Sequence, residues 1–413
     1  MNTFDAMDFG VPGLRDGTSV QFRAAGLEDL DALCDFFARL SPESRHRRFS
    51  SLSAPRPELI GSLCDSSNAR SKLTLLATRS LNGDSRIIAT GSYLAKNPTT
   101  AEVAFAVDDS YQGKGLGTLL LERLALLAVQ NGFTHFWALT HSENKSMRDV
   151  FRESGFAVAE KLDRGEVEVD LAIIPTEASV ARLDVRHRVA TVAGLRPFFR
   201  PRSVAVVGAS RNPMAIGYRL LDAVVSSGYR GTVYPVNPKA TEIRGLHAYP
   251  SVRELPFAVD LAVIAVPPKA VLGVVDDCAA RGVRAIVVIT AGFAEVGKEG
   301  LELQNRLMEK VRAAGMRMIG PNCLGLVSTD ADVRLNATFV PGFPPPGRVA
   351  MSSDSGALGL AALAVAGRYG LGISSCVSVG NRPDISSNDL LEYWEEDTGT
   401  EVILLYLESF GNP

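Results

Sequence analysis

The chain has 413 residues, a formal charge of -3 and a hydrophobic share of 46%. That length suffices for two or three domains with a sizeable core in each, and the near-neutral balance argues against a general nucleic-acid or membrane-surface binder. Five scattered cysteines (Cys34, Cys64, Cys278, Cys323, Cys376) show no C-x-x-C spacing and read as reduced thiols. Five histidines form no metal-like cluster, and no signal peptide, lipidation motif or long apolar run occurs, which favours the cytoplasm.

Residues 1–17, with Gly10, Pro12, Gly13 and Gly17, read as a flexible tail. A strand is expected at 20–24 and a helix at 27–40, with Leu30, Leu33, Phe36, Phe37 and Leu40 on one side. The run 40–49, LSPESRHRRF, is a turn with Pro42 heading a helical turn, then a basic cluster of the kind that usually faces water. Strands follow at 73–77 and 87–94. The stretch 101–128 opens as a strand through Val103, Phe105 and Val107. It closes as a helix through Leu116, Leu120, Leu124 and Leu127, with Glu122 and Arg123 outside that stripe.

Between strand and helix lies Gln112-Gly113-Lys114-Gly115-Leu116-Gly117-Thr118. A glycine-rich turn leaves backbone N–H groups open at the positive end of a helix, which suits a pyrophosphate. Glycine also lets the backbone come close to the ligand. The order Q-x-x-G-x-G in this setting resembles motif A of the GNAT acyltransferase superfamily. A strand at 133–140, then Asn144-Lys145-Ser146-Met147, Phe151 and Ser154-Gly155-Phe156, resembles its motif B. The last strand of this unit is expected at 167–174, so the resemblance covers 18–174. The run L-S-P-E-S-R-x-R-R-F is similar to the first-helix signature of the GNAT domains in bacterial protein acetyltransferases of the Pat type. His46 stands where that family commonly has an aromatic.

Residues 175–200 read as a linker with helical character. Beyond it, buried strands at 203–210, 232–235, 260–266, 285–290 and 316–319 alternate with helices near 217–227, 271–281 and 300–314. That alternation means a parallel, doubly wound sheet. A dinucleotide site is rejected. Gly208 does not start a full G-x-G-x-x-G, and the second strand ends in Asn237-Pro238-Lys239 with no carboxylate for a ribose. Five turns sit at strand C-terminal ends: Gly208-Ala209-Ser210, Asn237-Pro238-Lys239, Val266-Pro267-Pro268, Thr290-Ala291-Gly292-Phe293 and Gly320-Pro321-Asn322-Cys323. Together they resemble the CoA-binding domain of ADP-forming acyl-CoA synthetases and of the succinyl-CoA synthetase α-subunit, over 201–338. PGFPPPG at 341–347 reads as a stiff joint. After it, 347–413 begins a further α/β unit: strand 348–351, the turn Ser352-Ser353-Asp354-Ser355-Gly356, helix 356–367, strand 375–379, helix 389–394 and strand 401–407. It stops soon after a strand and reads as truncated.

The expected fold class is therefore α/β: an N-terminal GNAT fold, a Rossmann-like CoA-binding domain and the start of a flavodoxin-like, succinyl-CoA synthetase-like domain. The GNAT resemblance implies acetyl-CoA as acyl donor, with pyrophosphate on the amides of Gly113, Lys114, Gly115, Leu116, Gly117 and Thr118 after Gln112. Pantetheine would pair near Ala106 and Val107, and Asn144 would touch pantetheine or the attacking amine. The Pat resemblance places the general base at Glu102, with Glu143 in reserve. Phe151 stands where many GNAT enzymes carry a tyrosine acid, so water or another residue must protonate the thiolate. The synthetase resemblance implies a second CoA or acyl-CoA site at Gly208, Ala209, Ser210, Asn237, Lys239, Val266, Pro267, Pro268, Thr290, Gly292 and Asn322; no metal is expected, since the histidines form no metal-like cluster. That family relays phosphate through a histidine, with Glu408 matching its carboxylate partner. No histidine follows His247, and no ATP-grasp domain is present, so this chain alone is not expected to run the ligase reaction. The function implied is a cytoplasmic protein lysine N-acetyltransferase, its acceptor a protein with a reactive lysine, an acyl-CoA synthetase being one candidate. The alternative is the front part of an ADP-forming acyl-CoA synthetase with an appended GNAT domain. Neither nucleic acid nor membrane is expected as a partner.

Overall fold

A computed structural model describes residues 13–49, 51–81, 84–340 and 342–408. The chain divides into two compact units, the first built on residues 20–79 and 84–189 and the second on 190–408.

In the first unit, β1 (Gln21–Ala24) leads to three helices, α1 (Leu30–Arg39), α2 (Pro42–Phe49) and α3 (Pro57–Cys64). The long hairpin β2 (Lys72–Leu81) and β3 (Asp84–Ala95) follows, then β4 (Thr100–Val107), α4 (Leu116–Gln130) and β5 (His135–His141). α5 (Lys145–Glu153), β6 (Ala157–Asp163) and β7 (Glu166–Ala172) complete it. The sheet order is β1-β2-β3-β4-β5-β7-β6. α4 packs on one face, with Leu116, Leu120, Leu121, Leu124 and Leu127 buried against Val103, Phe105 and Phe136. α1 and α3 cover part of the other through Leu33, Phe36, Phe37, Ile60 and Cys64.

Two expectations change here. Leu14, read as tail, is fully buried in the α4 core, so an apolar anchor ties down the stretch just before β1. Residues 1–12 of that tail lie outside the described residues. Glu122 and Arg123, placed outside the apolar stripe, are buried as well. Glu122 pairs with Arg186, and the Arg123 guanidinium lies 4.8 Å from the centre of the Phe22 ring, so each charge enters the core with a partner. The linker, expected to have helical character, is a continuous helix, α6 (Glu177–Phe199).

The second unit starts with a parallel sheet: β8 (Ser203–Val207), β9 (Thr232–Val236), then, after a short ribbon of β10 (Glu242–Ile243) and β11 (Leu246–His247), β12 (Leu261–Ile264), β13 (Ala285–Val288) and β14 (Arg317–Ile319). Its order is β14-β13-β12-β8-β9. The helices α7 (Ile216–Ser226), α8 (Pro268–Ala280) and α9 (Lys298–Ala313) alternate with these strands. β8, β12 and β13 are almost wholly buried, as expected where helices cover both faces.

A second five-stranded sheet runs β16-β15-β18-β17-β19. It is made of β15 (Gly325–Ser328), β16 (Leu335–Thr338), β17 (Pro346–Ser353), β18 (Ile373–Ser378) and β19 (Val402–Tyr406), with α10 (Gly356–Tyr369) and α11 (Ser387–Glu396). β15 and β16 fall within 201–338, yet they pair antiparallel and join β18 rather than the parallel sheet. The change of sheet therefore comes before residue 338. Pro341 of the proline-rich joint, and residues 409–413, lie outside the described residues.

Candidate functional site

A cleft of about 470 Å³ opens in the first unit. Its floor follows from strand pairing. β4 and β5 pair in parallel only at Thr100–His135, Ala101–Phe136 and Glu102–Trp137. Beyond that point β4 runs on to Val107 and β5 to His141 without pairing, so the two strands fork immediately after Glu102. The cleft fills the fork.

At one end stands the glycine loop. Gly113 and Gly115 have φ of 74° and 92°, a region that only glycine adopts without strain. Gly115 caps α4, whose first internal bond is Leu119 N–H to Gly115 O at 3.1 Å. The N–H groups of Leu116, Gly117 and Thr118 have no partner among the described residues, as a helix start leaves them. Arg15 adds a cation here. Its N–H donates to Lys114 O at 3.1 Å, its guanidinium bonds Glu153 at 2.8 Å, and its side chain passes beside Gly115. Gln112 holds the loop in place. Its Nε2 donates to Val107 O and Ser44 Oγ, both at 3.2 Å, tying the loop to β4 and α2. Asp109 holds the same joint from Ser41 and Ser44, whose hydroxyls donate to it at 2.9 and 2.6 Å. Burial opposes the charge on Asp109, but these bonds and the Ser41 N–H outweigh it and keep the carboxyl below its ordinary value.

At the other end stands Glu102, exposed on β4 and lining the cleft. Arg48 of α2 lines it too, donating to Ser92 Oγ at 3.1 Å. Desolvation pushes the Arg48 guanidinium down to about 10, with the Glu102 charge working against it. Its Nε has no partner among the described residues. His46 of α2 stacks on His141 of β5 with ring centres 5.2 Å apart, so it serves as an aromatic.

Nearly all of the expected residues meet in this one cleft: Glu102, Ala106, Val107, Gln112, Gly113, Gly115, Leu116, Gly117, Thr118 and Asn144 line it. Lys114 does not. Its ammonium turns to Asp16 at 3.5 Å and lies 5.0 Å from the centre of the Tyr111 ring. Asn144 is 8% exposed and already engaged: it caps α5 by accepting from Met147 N–H at 3.3 Å and donates to Thr140 Oγ1 at 3.2 Å. In this arrangement it shapes the wall. Phe151 is buried against Phe105 and offers no proton. Arg15, Arg48 and the His46–His141 stack carried no role in the sequence. Arg15 stands in a segment without periodicity, and the others depend on long-range contacts.

The second unit places its five turns at the C-terminal edge of the parallel sheet. Gly208, with φ of 89°, lets β8 approach β12 so closely that a Cβ would meet Ala265 O. Asn237 Nδ2 donates to Ala209 O at 2.7 Å, Asn237 Oδ1 accepts from Lys239 N–H at 2.7 Å, and Thr290 Oγ1 donates to Val266 O at 2.7 Å. Val266, Thr290 and Asn322 line a second cavity of about 750 Å³ with Ser355, Gly356 and Glu408. Gly208, Ala209, Ser210, Asn237, Lys239, Pro267, Pro268 and Gly292 lie outside its wall. The N–H groups of Gly292 and Phe293 are already taken by the Glu295 carboxylate, which also receives Asn381 Nδ2. These bonds outweigh desolvation and hold Glu295 below its ordinary value. Glu408 donates its N–H to Asp354 at 2.9 Å.

Three family models match: the acetyltransferase (GNAT) family over 35–156, a CoA binding domain over 202–329 and a succinyl-CoA ligase like flavodoxin domain over 346–413. An acetyltransferase of Pseudomonas aeruginosa is 32% identical over 151 residues, 36% of this chain and 81% of that protein. The ADP-forming acetate–CoA ligase I subunit alpha of Pyrococcus furiosus is 45% identical over 218 residues, 52% of this chain and 47% of that protein. An acetyl-coenzyme A synthetase 1 of Ca. Korarchaeum cryptofilum, solved with phosphate and ADP, is 47% identical with a TM-score of 0.51, covering 53% of this chain and 46% of that one. The chain belongs to the GNAT acetyltransferase family, and behind that domain it carries CoA-binding and flavodoxin-like domains similar to those of ADP-forming synthetases. It spans less than half the length of these synthetase relatives. No helix among the described residues is long and apolar enough to cross a membrane.

Proposed function

We propose that this chain is an acetyl-CoA-dependent protein lysine N-acetyltransferase of the Pat type, acting in the cytoplasm, whose synthetase-like part binds CoA or acyl-CoA and regulates the transferase. The observation that carries this reading is the fork after Glu102. It sets a carboxylate at one end of a cleft and an anion-binding helix start with Arg15 at the other.

Donor pyrophosphate rests on the loop amides, and pantetheine runs along the unpaired edge of β4. A lysine ammonium, with an ordinary pKa of about 10.4, gives a proton to Glu102. The amine attacks the thioester carbon, a C–N bond forms, the added nitrogen gives its surplus proton to water, and the C–S bond breaks. Polarised amides at the fork stabilise the oxyanion. The thiolate, with an ordinary pKa near 8.5, leaves and takes its proton from water, since Phe151 has none to give.

The test is thiol release from acetyl-CoA by the purified chain over a panel of acceptor proteins, acyl-CoA synthetases among them. Mass spectrometry then locates the acetyl group on the acceptor. Acetyl-lysine on one acceptor supports the reading, and binding of acetyl-CoA without transfer to any acceptor contradicts it. The 45% identity with a synthetase subunit favours a second reading, the front part of an acyl-CoA ligase. ATP formation from acetyl-CoA, ADP and phosphate by a longer chain that contains this one would favour that one.

A further inference from the structure

One face of the first-unit sheet carries a row of which the proposed chemistry uses Glu102 alone. Leu94, Glu102, Trp137 and Asp170 stand directly opposite one another across β3, β4, β5 and β7. Directly opposed residues share a face. The next rung of the same face brings Leu139 opposite Glu168, and the one after it His141 opposite Glu166. Leu94 is 53% exposed and Leu139 46%, and Glu166, Glu168 and Asp170 are exposed, so α1 and α3 leave this part of the face open. Glu102, Leu139, His141 and Glu166 also line the cleft, which makes face and cleft continuous.

Trp137 is half-buried, and a lysine ammonium already lies on its ring: Lys96 Nζ is 3.4 Å from the centroid. Lys96 is exposed and belongs to the β3–β4 turn. The indole is the ring best suited to hold a cation. Here it does so one strand from the carboxylate proposed to deprotonate a lysine. The carboxylates of Glu166, Glu168 and Asp170 extend the same sign beyond it, with Lys161 opposite Glu168 as the base in that row.

Resting on the lysine-transferase reading, we infer that Trp137 is the platform for the acceptor's lysine, and that the occupant of this face is a basic, lysine-bearing segment of the acceptor. Lys96 holds the place until the acceptor displaces it. The ring orients the incoming ammonium toward Glu102, and the acidic row receives basic neighbours of that lysine. Trp137 acts in recognition and positioning, not on the reacting atoms.

The experiment uses the full chain with a lysine peptide flanked by arginines, and a matched peptide flanked by glutamates. Trp137→Leu should raise KM for the basic peptide about three- to thirtyfold, with acetyl-CoA binding unchanged, and Trp137→Phe should recover part of the loss. Lys96→Ala should lower that KM about two- to fivefold by removing the competitor. The basic peptide should be preferred over the acidic one, and Glu168→Gln with Asp170→Asn should narrow the preference. An unchanged peptide KM in Trp137→Leu overturns the inference while transfer itself stands. So does a loss that falls equally on acetyl-CoA binding, or one that phenylalanine does not relieve. Absence of transfer to any lysine by the unaltered chain removes the function reading, and this inference with it.

Discussion

The glycine loop before α4 and the Thr290–Phe293 turn after β13 both follow a strand and open toward a helical segment. The first was expected to hold pyrophosphate on backbone amides, and the second to belong to a CoA or acyl-CoA site. They differ in what those amides touch. At the first, the N–H groups of Leu116, Gly117 and Thr118 have no partner among the described residues, and Arg15 stands beside them. At the second, Gly292 and Phe293 already donate to the Glu295 carboxylate. The first leaves its amides open beside a cation, whereas the second already holds the internal carboxylate of Glu295. A preset site lowers the cost of binding, and a filled one suits a site whose occupancy is to vary. This contrast fits a working cleft in one unit and a responsive binding site in the other.

Four substitutions or titrations would sharpen or break the contrast. The largest effect is expected for Glu102→Gln, which should lower kcat about 10²- to 10⁴-fold, the usual worth of a general base, and leave CoA binding in the second unit unchanged. Steady-state kinetics and calorimetry on the same preparation check both halves. Arg15→Ala should weaken acetyl-CoA about fivefold in calorimetry, as loss of an exposed charge-assisted contact, with kcat nearly kept. Glu295→Ala should have the opposite sign: CoA should bind the second unit about threefold more tightly, because two amides are released and a like charge is gone. Weaker binding would mean that Glu295 builds the turn instead of competing for it.

The smallest effect is a titration. The Asp109 carboxyl lies below its ordinary value of 3.8 in the folded chain. Its contribution to holding α2 on the loop is therefore fully present above that value and lost as pH falls through the lower folded one. Hydrogen exchange at residues 41–49 should stay protected at pH 5 and loosen only below about pH 4. Asp109→Asn should remove that acid step.

The parts of the candidate site legible in the sequence are those set by local order along the chain. A strand, three glycines and a helix in a row make an anion cradle within seven residues, and the folded chain keeps it. The parallel sheet was equally legible, because strands buried on both faces read as continuous apolar runs. What was missed depends on distance. Arg48 reaches the cleft because α2 packs near β4, Glu122 enters the core because Arg186 meets it from α6, and Leu14 is an anchor only once α4 is in place. Short or edge elements were also invisible. β15 and β16 have four residues each, and β6 is a sheet-edge strand of mixed polarity and little buried. The Glu295 carboxylate escaped notice because nothing in T-A-G-F announces that a side chain three residues past Gly292 turns back onto its amides.

The most direct test asks whether transfer belongs to the first-unit cleft. Gly115→Val puts a branched side chain at a φ of 92°, beside Arg15, and should spoil the first cradle alone. Acetyl-CoA binding by calorimetry and acetyl transfer to a lysine peptide would be measured on the same variant. Two binding events are predicted in the unaltered chain and one in the variant, with transfer lost alongside the missing event. Transfer that survives loss of the first site, or two events that persist while transfer disappears, would contradict the assignment of the chemistry to this cleft.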